Sequence, residues 1–250
     1  MTIKAVSFDL WDTVFADDTD EPKRAAAGLE PKPVARRELV HRYISKQTPV
    51  ERALVDCAYD TADAAFRMVW YKQHVTWSVL ERLMLVLEGL KTTLEKNDLL
   101  ELVRAHETME LEVSPELVPG VAQAIRDLSS RYTLLVISDT VFSPGWALRK
   151  MLAKYDLEKY FSGFLFSDEA GMSKPTPELF HRAAKLAGCD IEQLVHIGDR
   201  EDKDVFGPKA VGAKAIFMTA AVDRGSDDTV ADAICSDYSD LQNIISSMES

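Results

Sequence analysis

Lys4-Ala-Val-Ser-Phe-Asp-Leu-Trp-Asp-Thr13 opens the chain's first apolar run, which turns polar at Asp9. From Lys4 to Leu10 the stretch is short and mostly apolar, a length that suits a buried strand better than a helix. An unpaired carboxylate buried at the end of such a strand is costly, so Asp9 needs a reason to be there. It is the first candidate for chemistry.

Outward from this strand the pattern changes twice. Ala16 to Pro33 is polar, contains proline and gathers Asp17, Asp18, Asp20 and Glu21, which reads as an irregular, solvated excursion. From about Val34 to His106 the apolar spacing is helical, as at Val50, Ala53, Leu54, Cys57 and Ala58. Thr48-Pro-Val-Glu51, Ser78-Val-Leu-Glu81 and Thr92-Thr-Leu-Glu95 carry the capping-box signature, which predicts roughly four helices in a small bundle. After Pro115, helical stretches at Val121–Leu128, Gly145–Tyr155, Thr176 onward, Asp204–Val211 and Tyr238–Met248 alternate with strand-like runs. Those runs are Tyr132–Ser138, Phe164–Ser167, Val195–Gly198 and Ala215–Met218. Such alternation predicts a parallel α/β sheet. The expected architecture is a doubly wound α/β core, residues 1–15 and 116–250, interrupted by a helical-bundle insert, residues 16–115.

Ligands of open parallel sheets bind outside the carboxyl ends of the strands. Those ends carry Asp9, Trp11 and Asp12; Ser138 and Asp139; and Asp199 and Asp204, with Lys174 in the loop before the Thr176 helix. A carboxylate there can attack phosphorus or carbon. Further carboxylates suit Mg²⁺, which prefers oxygen ligands. A hydroxyl and an ammonium can hold and neutralise a phosphoryl group.

Phe8-Asp9-Leu-Trp-Asp-Thr13, the strand ending at Ser138, Lys174-Pro175 and Gly198-Asp199-x4-Asp204 follow one another in this order. In that order they resemble the four motifs of the haloacid dehalogenase-like superfamily, and the insert resembles its helical cap. The resemblance covers roughly residues 4–15 and 117–245. It implies a Rossmann-like core and, for most members, Mg²⁺-dependent hydrolysis of a small phosphorylated metabolite. It implies that Asp9 is the nucleophile forming an aspartyl-phosphate, that Ser138 binds a phosphoryl oxygen, and that Lys174 pairs with Asp9 and the transferring group. It also implies a metal site of Asp9, the Trp11 backbone carbonyl, Asp199 and Asp204, the last beside the ion or holding its water. The usual first motif is Asp-x-Asp-x-Thr, whose second Asp gives and takes the proton. Trp11 stands there instead and can do neither. Asp12 is one place later, where alternation points it elsewhere, and Asp139 replaces a frequent Asn. Metal-free 2-haloacid dehalogenases also lack the second Asp, but so do they lack the Gly-Asp pair kept here at Gly198-Asp199. Phosphonatases recruit a cap lysine, and nothing singles out Lys46 or Lys72. A catalytically impaired relative that binds a phospho-ligand or protein partner is the alternative from another class.

Other candidates have plainer explanations. His196 lies within an apolar strand, as a satisfied core histidine does, and Trp70, Tyr71, His74 and Trp77 suit packing between helices. A net charge of −12 over 250 residues repels phosphate backbones, so nucleic acid is not an expected partner. Cys57, Cys189 and Cys235 form no C-x-x-C pair, which leaves out a disulfide framework or zinc knuckle and suits a reducing, cytoplasmic setting. There is no apolar run of membrane-spanning length, and no signal peptide is expected where Met1–Val6 enters a strand. Oligomeric state is not legible in the residues.

Overall fold

The structure, a computed structural model, describes residues 2–249. Its first strand, β1 (Ala5–Phe8), leads through the turn at Asp9–Val14 to a short β2 (Phe15–Ala16). The helical insert follows: α1 (Glu21–Ala26), α2 (Lys32–Ser45), α3 (Arg52–Gln73), α4 (Val79–Gly89), α5 (Lys96–Glu107) and α6 (Met109–Glu112). The chain re-enters the core at β3 (Glu116–Leu117), which pairs antiparallel with β2, Phe15 opposite Leu117. The path out and the path back are thus clipped together at the foot of the insert.

The core continues as α7 (Val121–Ser129), β4 (Thr133–Ser138), α8 (Gly145–Lys154), β5 (Phe161–Phe166) and α9 (Ser167–Ala170). Then come α10 (Pro177–Ala187), β6 (Leu194–Gly198), one π-helical turn over Glu201–Val205, α11 (Phe206–Ala210), β7 (Lys214–Met218), β8 (Ala233–Cys235) and α12 (Leu241–Ser247). Six strands pair in the order β5-β4-β1-β6-β7-β8, every pair parallel. Alternation sorts their side chains: Val6, Phe8, Leu134 and Val136 join one core cluster with α7, α8 and α12, whereas Ala5, Leu135 and Ile137 join another with α10. A separate apolar cluster, including Val40, Val55, Leu83 and Leu102, holds the insert's helices together. The architecture is therefore a parallel Rossmann-like sheet with an inserted helical region, as the alternation predicts.

Local details depart from the sequence reading. Ser78 and Glu81 do form a capping box at α4. The other two signatures do not: α3 and α5 begin only after Glu51 and Glu95. The His41 ring is 3.1 Å from the Val50 carbonyl, the N-cap Glu51 is extended, and Leu94 packs into the insert's core instead of starting a turn. The acidic run is solvated only in part: Asp17 and Asp18 are exposed, whereas Asp20 is fully buried and bonded to Lys32 Nζ at 2.7 Å. The strand β8 was missed: three residues offer too little pattern.

Candidate active site

Register places the candidate residues. Phe8 lies opposite Val136 on one side and Ile197 on the other. Asp9 therefore lies one residue beyond that row and Ser138 and Asp199 two, all at the carboxyl edge of three adjacent strands, where the strand order reverses beside β1. All three are buried, as are Lys174 and Asp204.

Lys174 Nζ joins them, 2.7 Å from Asp9 Oδ1 and 2.5 Å from Asp204 Oδ1. Asp204 Oδ1 also meets His196 Nε2 at 3.1 Å, and Asp204 Oδ2 accepts the Arg200 N–H at 3.0 Å. The sheet positions His196, whose Nδ1 takes a hydrogen bond from Ser7 Oγ at 2.9 Å. Burial lowers the imidazole's pKa, so His196 stays neutral and donates from Nε2. Asp204 Oδ1 thus holds Lys174, while the Arg200 N–H fixes Oδ2. Gly198 permits this approach, because a Cβ there would lie 2.3 Å from Asp204 Cγ.

The electrostatics leave a surplus of negative charge. Burial raises the Asp9 pKa, opposed by the Lys174 ammonium and reinforced by the charge of Asp204. Burial, together with Asp204 and Asp9, pushes Asp199 up to about 7. Burial alone would depress Lys174, but the charges of Asp204, Asp9 and Asp139 outweigh it and hold the ammonium above its ordinary range. Burial also resists ionisation of Asp204, yet Lys174 and the His196 hydrogen bond keep its carboxyl well below the usual value. Asp9, Asp199 and Asp204 each offer an oxygen within 4.8 Å of the others, and Asp199 Oδ1 is buried without a hydrogen-bond partner. An all-oxygen donor set, excess negative charge and an orphaned carboxylate oxygen suit a hard divalent cation such as Mg²⁺. The cluster resembles the superfamily's magnesium-binding motif.

Ser138 Oγ is buried beside Asp9 and makes no full hydrogen bond. Asp139 is tied twice, accepting the Lys174 N–H at 2.9 Å and Lys203 Nζ at 2.6 Å. Asp12 is held by the guanidinium that also holds Asp199: its turn has φ 52°, its Oδ2 is 2.5 Å from Arg224 Nη2, and its Oδ1 accepts the Asp17 N–H. Trp11 packs tilted against Phe15 and lines the cavity above Asp9. That cavity has a volume of about 540 Å³, and its other walls include Lys32, Arg36 and Trp70 from the insert.

Sequence reasoning missed several contributors. Arg224 Nε holds Asp199 Oδ2 at 2.5 Å from a polar loop after β7 that carries no periodic signal. Lys203 lies 3.2 Å from the centre of the Trp70 ring, joining core to insert. Its place in the same stretch as Asp199 and Asp204 was the available clue. Insert and core also meet where Arg82 Nη1 donates to the Val141 carbonyl at 2.6 Å and the Ser173 N–H donates to the His74 carbonyl at 2.8 Å.

Comparison with known proteins agrees with this geometry. Over 133 residues the chain is 27% identical to a glyceraldehyde 3-phosphate phosphatase of Methanothermobacter thermautotrophicus, covering 51% of this chain and 58% of that protein. The chain spans about half the length of the curated relatives it matches. Among solved structures, a 2-haloacid dehalogenase from Pseudomonas syringae pv. Tomato DC3000 superposes with a TM-score of 0.68 at 22% identity, covering 98% of this chain and 99% of the other. A HAD phosphatase from Thermococcus onnurineus superposes with a TM-score of 0.65 at 21% identity, covering 99% and 100%. These two establish the fold alone. The model of the haloacid dehalogenase-like hydrolases matches residues 3–212. With the four motifs brought together at one sheet edge, the chain belongs to the haloacid dehalogenase-like hydrolase family.

Proposed function

We propose that this hydrolase is a phosphatase that cleaves a small phosphorylated metabolite through an aspartyl-phosphate on Asp9. One observation carries the reading: Asp9, Lys174 and Asp199 meet at the strand ends with an unpartnered Asp199 oxygen beside them. Asp9, Asp199 and the Trp11 carbonyl would hold Mg²⁺, with Asp204 within reach. When bound, the ion supplies charge that offsets repulsion between the carboxylate and the phosphoryl oxygens.

The chain's own residues do the rest. Asp9, held by Lys174, presents an oxygen to phosphorus; the new bond forms as the ester bond breaks. Lys174 balances charge on the transferring oxygens, held in place by Asp204 and, through Asp139, by its own backbone N–H. Ser138 Oγ, lacking a full bond of its own, is free to donate to a phosphoryl oxygen. The insert roofs the cavity and limits water around the intermediate. A volume of about 540 Å³ suits a small metabolite.

A screen of phosphorylated metabolites with and without Mg²⁺ tests the reading. Release of phosphate that needs the metal and vanishes in Asp9→Asn, with the fold intact, is the expected result. Chloride release from a 2-chloroacid in the presence of chelator would replace it with dehalogenation.

A further inference from the structure

Ester cleavage at Asp9 needs a proton for the leaving oxygen, and Trp11 cannot give one. Six carboxyl-bearing residues line the cavity, and five of them meet a cation. Asp9 is bonded to Lys174, Asp139 to Lys203 and Glu110 to Arg36. Asp18 is 3.3 Å from Lys32 Nζ, and Glu21 lies 4.0 Å from Arg24 Nε and accepts the Lys32 N–H. The sixth, Asp17, has no cation in contact among the described residues. It is exposed at the cavity rim, and its Oδ1 accepts the Asp18 N–H at 2.9 Å. The backbone holds it in place: Asp17 directly follows β2, clipped to β3, and its N–H donates to Asp12 Oδ1 at 3.0 Å. Asp12 is itself fastened by Arg224, so the residue next to the lost proton carrier fixes the loop that bears Asp17.

We propose that Asp17 is the proton carrier of this site, standing in from the insert's first loop for the carboxyl that Trp11 displaces. The inference rests on the phosphatase reading. In the first step an Asp9 oxygen bonds to phosphorus, the bond from phosphorus to the leaving oxygen breaks, and that oxygen takes the proton of the Asp17 carboxyl. In the second, water bonds to phosphorus, the Asp9–phosphorus bond breaks, and the water's proton returns to the Asp17 carboxylate. Phosphate leaves and both residues are restored.

The charged groups facing Asp17 are Asp18 and Asp12 on its own turn, Lys32 on α2 and Glu110 on α6. Partial desolvation among the cavity's walls, then the charge of Asp18, pushes its carboxyl up to about 6, with Lys32 opposing. Both protonation states are therefore populated near neutral pH, as a group that gives and then takes a proton requires.

The test compares the first turnover of an alkyl phosphate and an aryl phosphate by quenched flow, in wild type, Asp17→Asn and Asp18→Asn. Alkyl alcohol release in Asp17→Asn should fall by about 10²–10⁴-fold. The burst of aryl alcohol, which leaves without a proton, should fall far less. In the wild type, alkyl release should decline as pH rises through about 6, a limb absent from Asp17→Asn. Asp18→Asn removes a neighbouring negative charge and should move that limb to lower pH. Equal losses for both esters, or an unchanged limb in Asp17→Asn, would overturn the role of Asp17 while leaving an Asp9-dependent aryl burst, and with it the phosphatase reading, in place. No Asp9-dependent burst from either ester would remove both.

Discussion

Gly198 shows how one missing side chain shapes the site. Asp204 folds back over it, and a methyl group there would meet Asp204 Cβ at 2.5 Å and Oδ2 at 2.6 Å. Gly198→Ala should therefore displace Asp204 from Lys174, His196 and the Arg200 N–H together. Overpacking of this kind costs about 1–3 kcal/mol, and a displacement of reacting groups by an ångström can cost about 10²-fold in rate. Urea unfolding and turnover of the variant check the two parts, and unchanged turnover would mean that Asp204 does not set the geometry of Lys174. Asp9, Ser138, Lys174, Asp199 and Asp204 were legible because each follows an apolar strand or precedes a marked helix start. His196 was legible as buried, but its bond to Asp204 depends on a side-chain direction that strand alternation leaves open. Arg224 reaches the site from a polar loop, and nothing local in such a loop says how far it folds.

At the scale of elements, the helices of the insert follow apolar periodicity, but their ends follow contacts the sequence does not display. The His41 contact with the Val50 carbonyl, just before α3, is one case. The buried end of α5 is another, with a consequence for stability. His106 is 1% exposed, lies 2.8 Å from the Leu102 carbonyl through Nδ1 and stacks on Tyr59, while its Nε2 is buried without a partner. Burial, with Arg36 and Arg82 adding repulsion, lowers its pKa to about 4. The unfolded chain binds a proton near the ordinary histidine value of about 6.5 while the folded chain does not. Unfolding is therefore favoured as pH falls from about 6.5 towards 4, and stability gained above that window is lost within it. The shift corresponds to about 3 kcal/mol. Urea unfolding at both ends of the window should show that loss in wild type and less of it in His106→Gln. An identical pH dependence in the variant would place the acid sensitivity elsewhere.

Across the whole molecule, the sheet order and the helical insertion were readable because alternation and period survive over long stretches, whereas the contacts between insert and core were not. Several of those contacts are made by single side chains: Lys203 between Asp139 and Trp70, and Phe142 with the Arg36 guanidinium 3.5 Å from one face and Arg82 4.1 Å away. Lys203→Met would leave the buried Asp139 carboxylate without its cation, a loss of about 3–5 kcal/mol for a buried pair. Adding Asp139→Asn should recover much of that loss, because neither charge is then left alone and the amide oxygen still accepts the Lys174 N–H. Unfolding of the single and double variants measures it, and no recovery would mean that the pair is not what holds this contact. All these features matter to function only if Asp9 forms a bond to phosphorus. The most direct measurement is an acid quench of the first turnover of an aryl phosphate with Mg²⁺, followed by peptide mapping by mass spectrometry. The expected result is a phosphoryl group on Asp9 that is absent from Asp9→Asn; turnover that proceeds with Asp9 unmodified, or with the phosphoryl group on another residue, would contradict it.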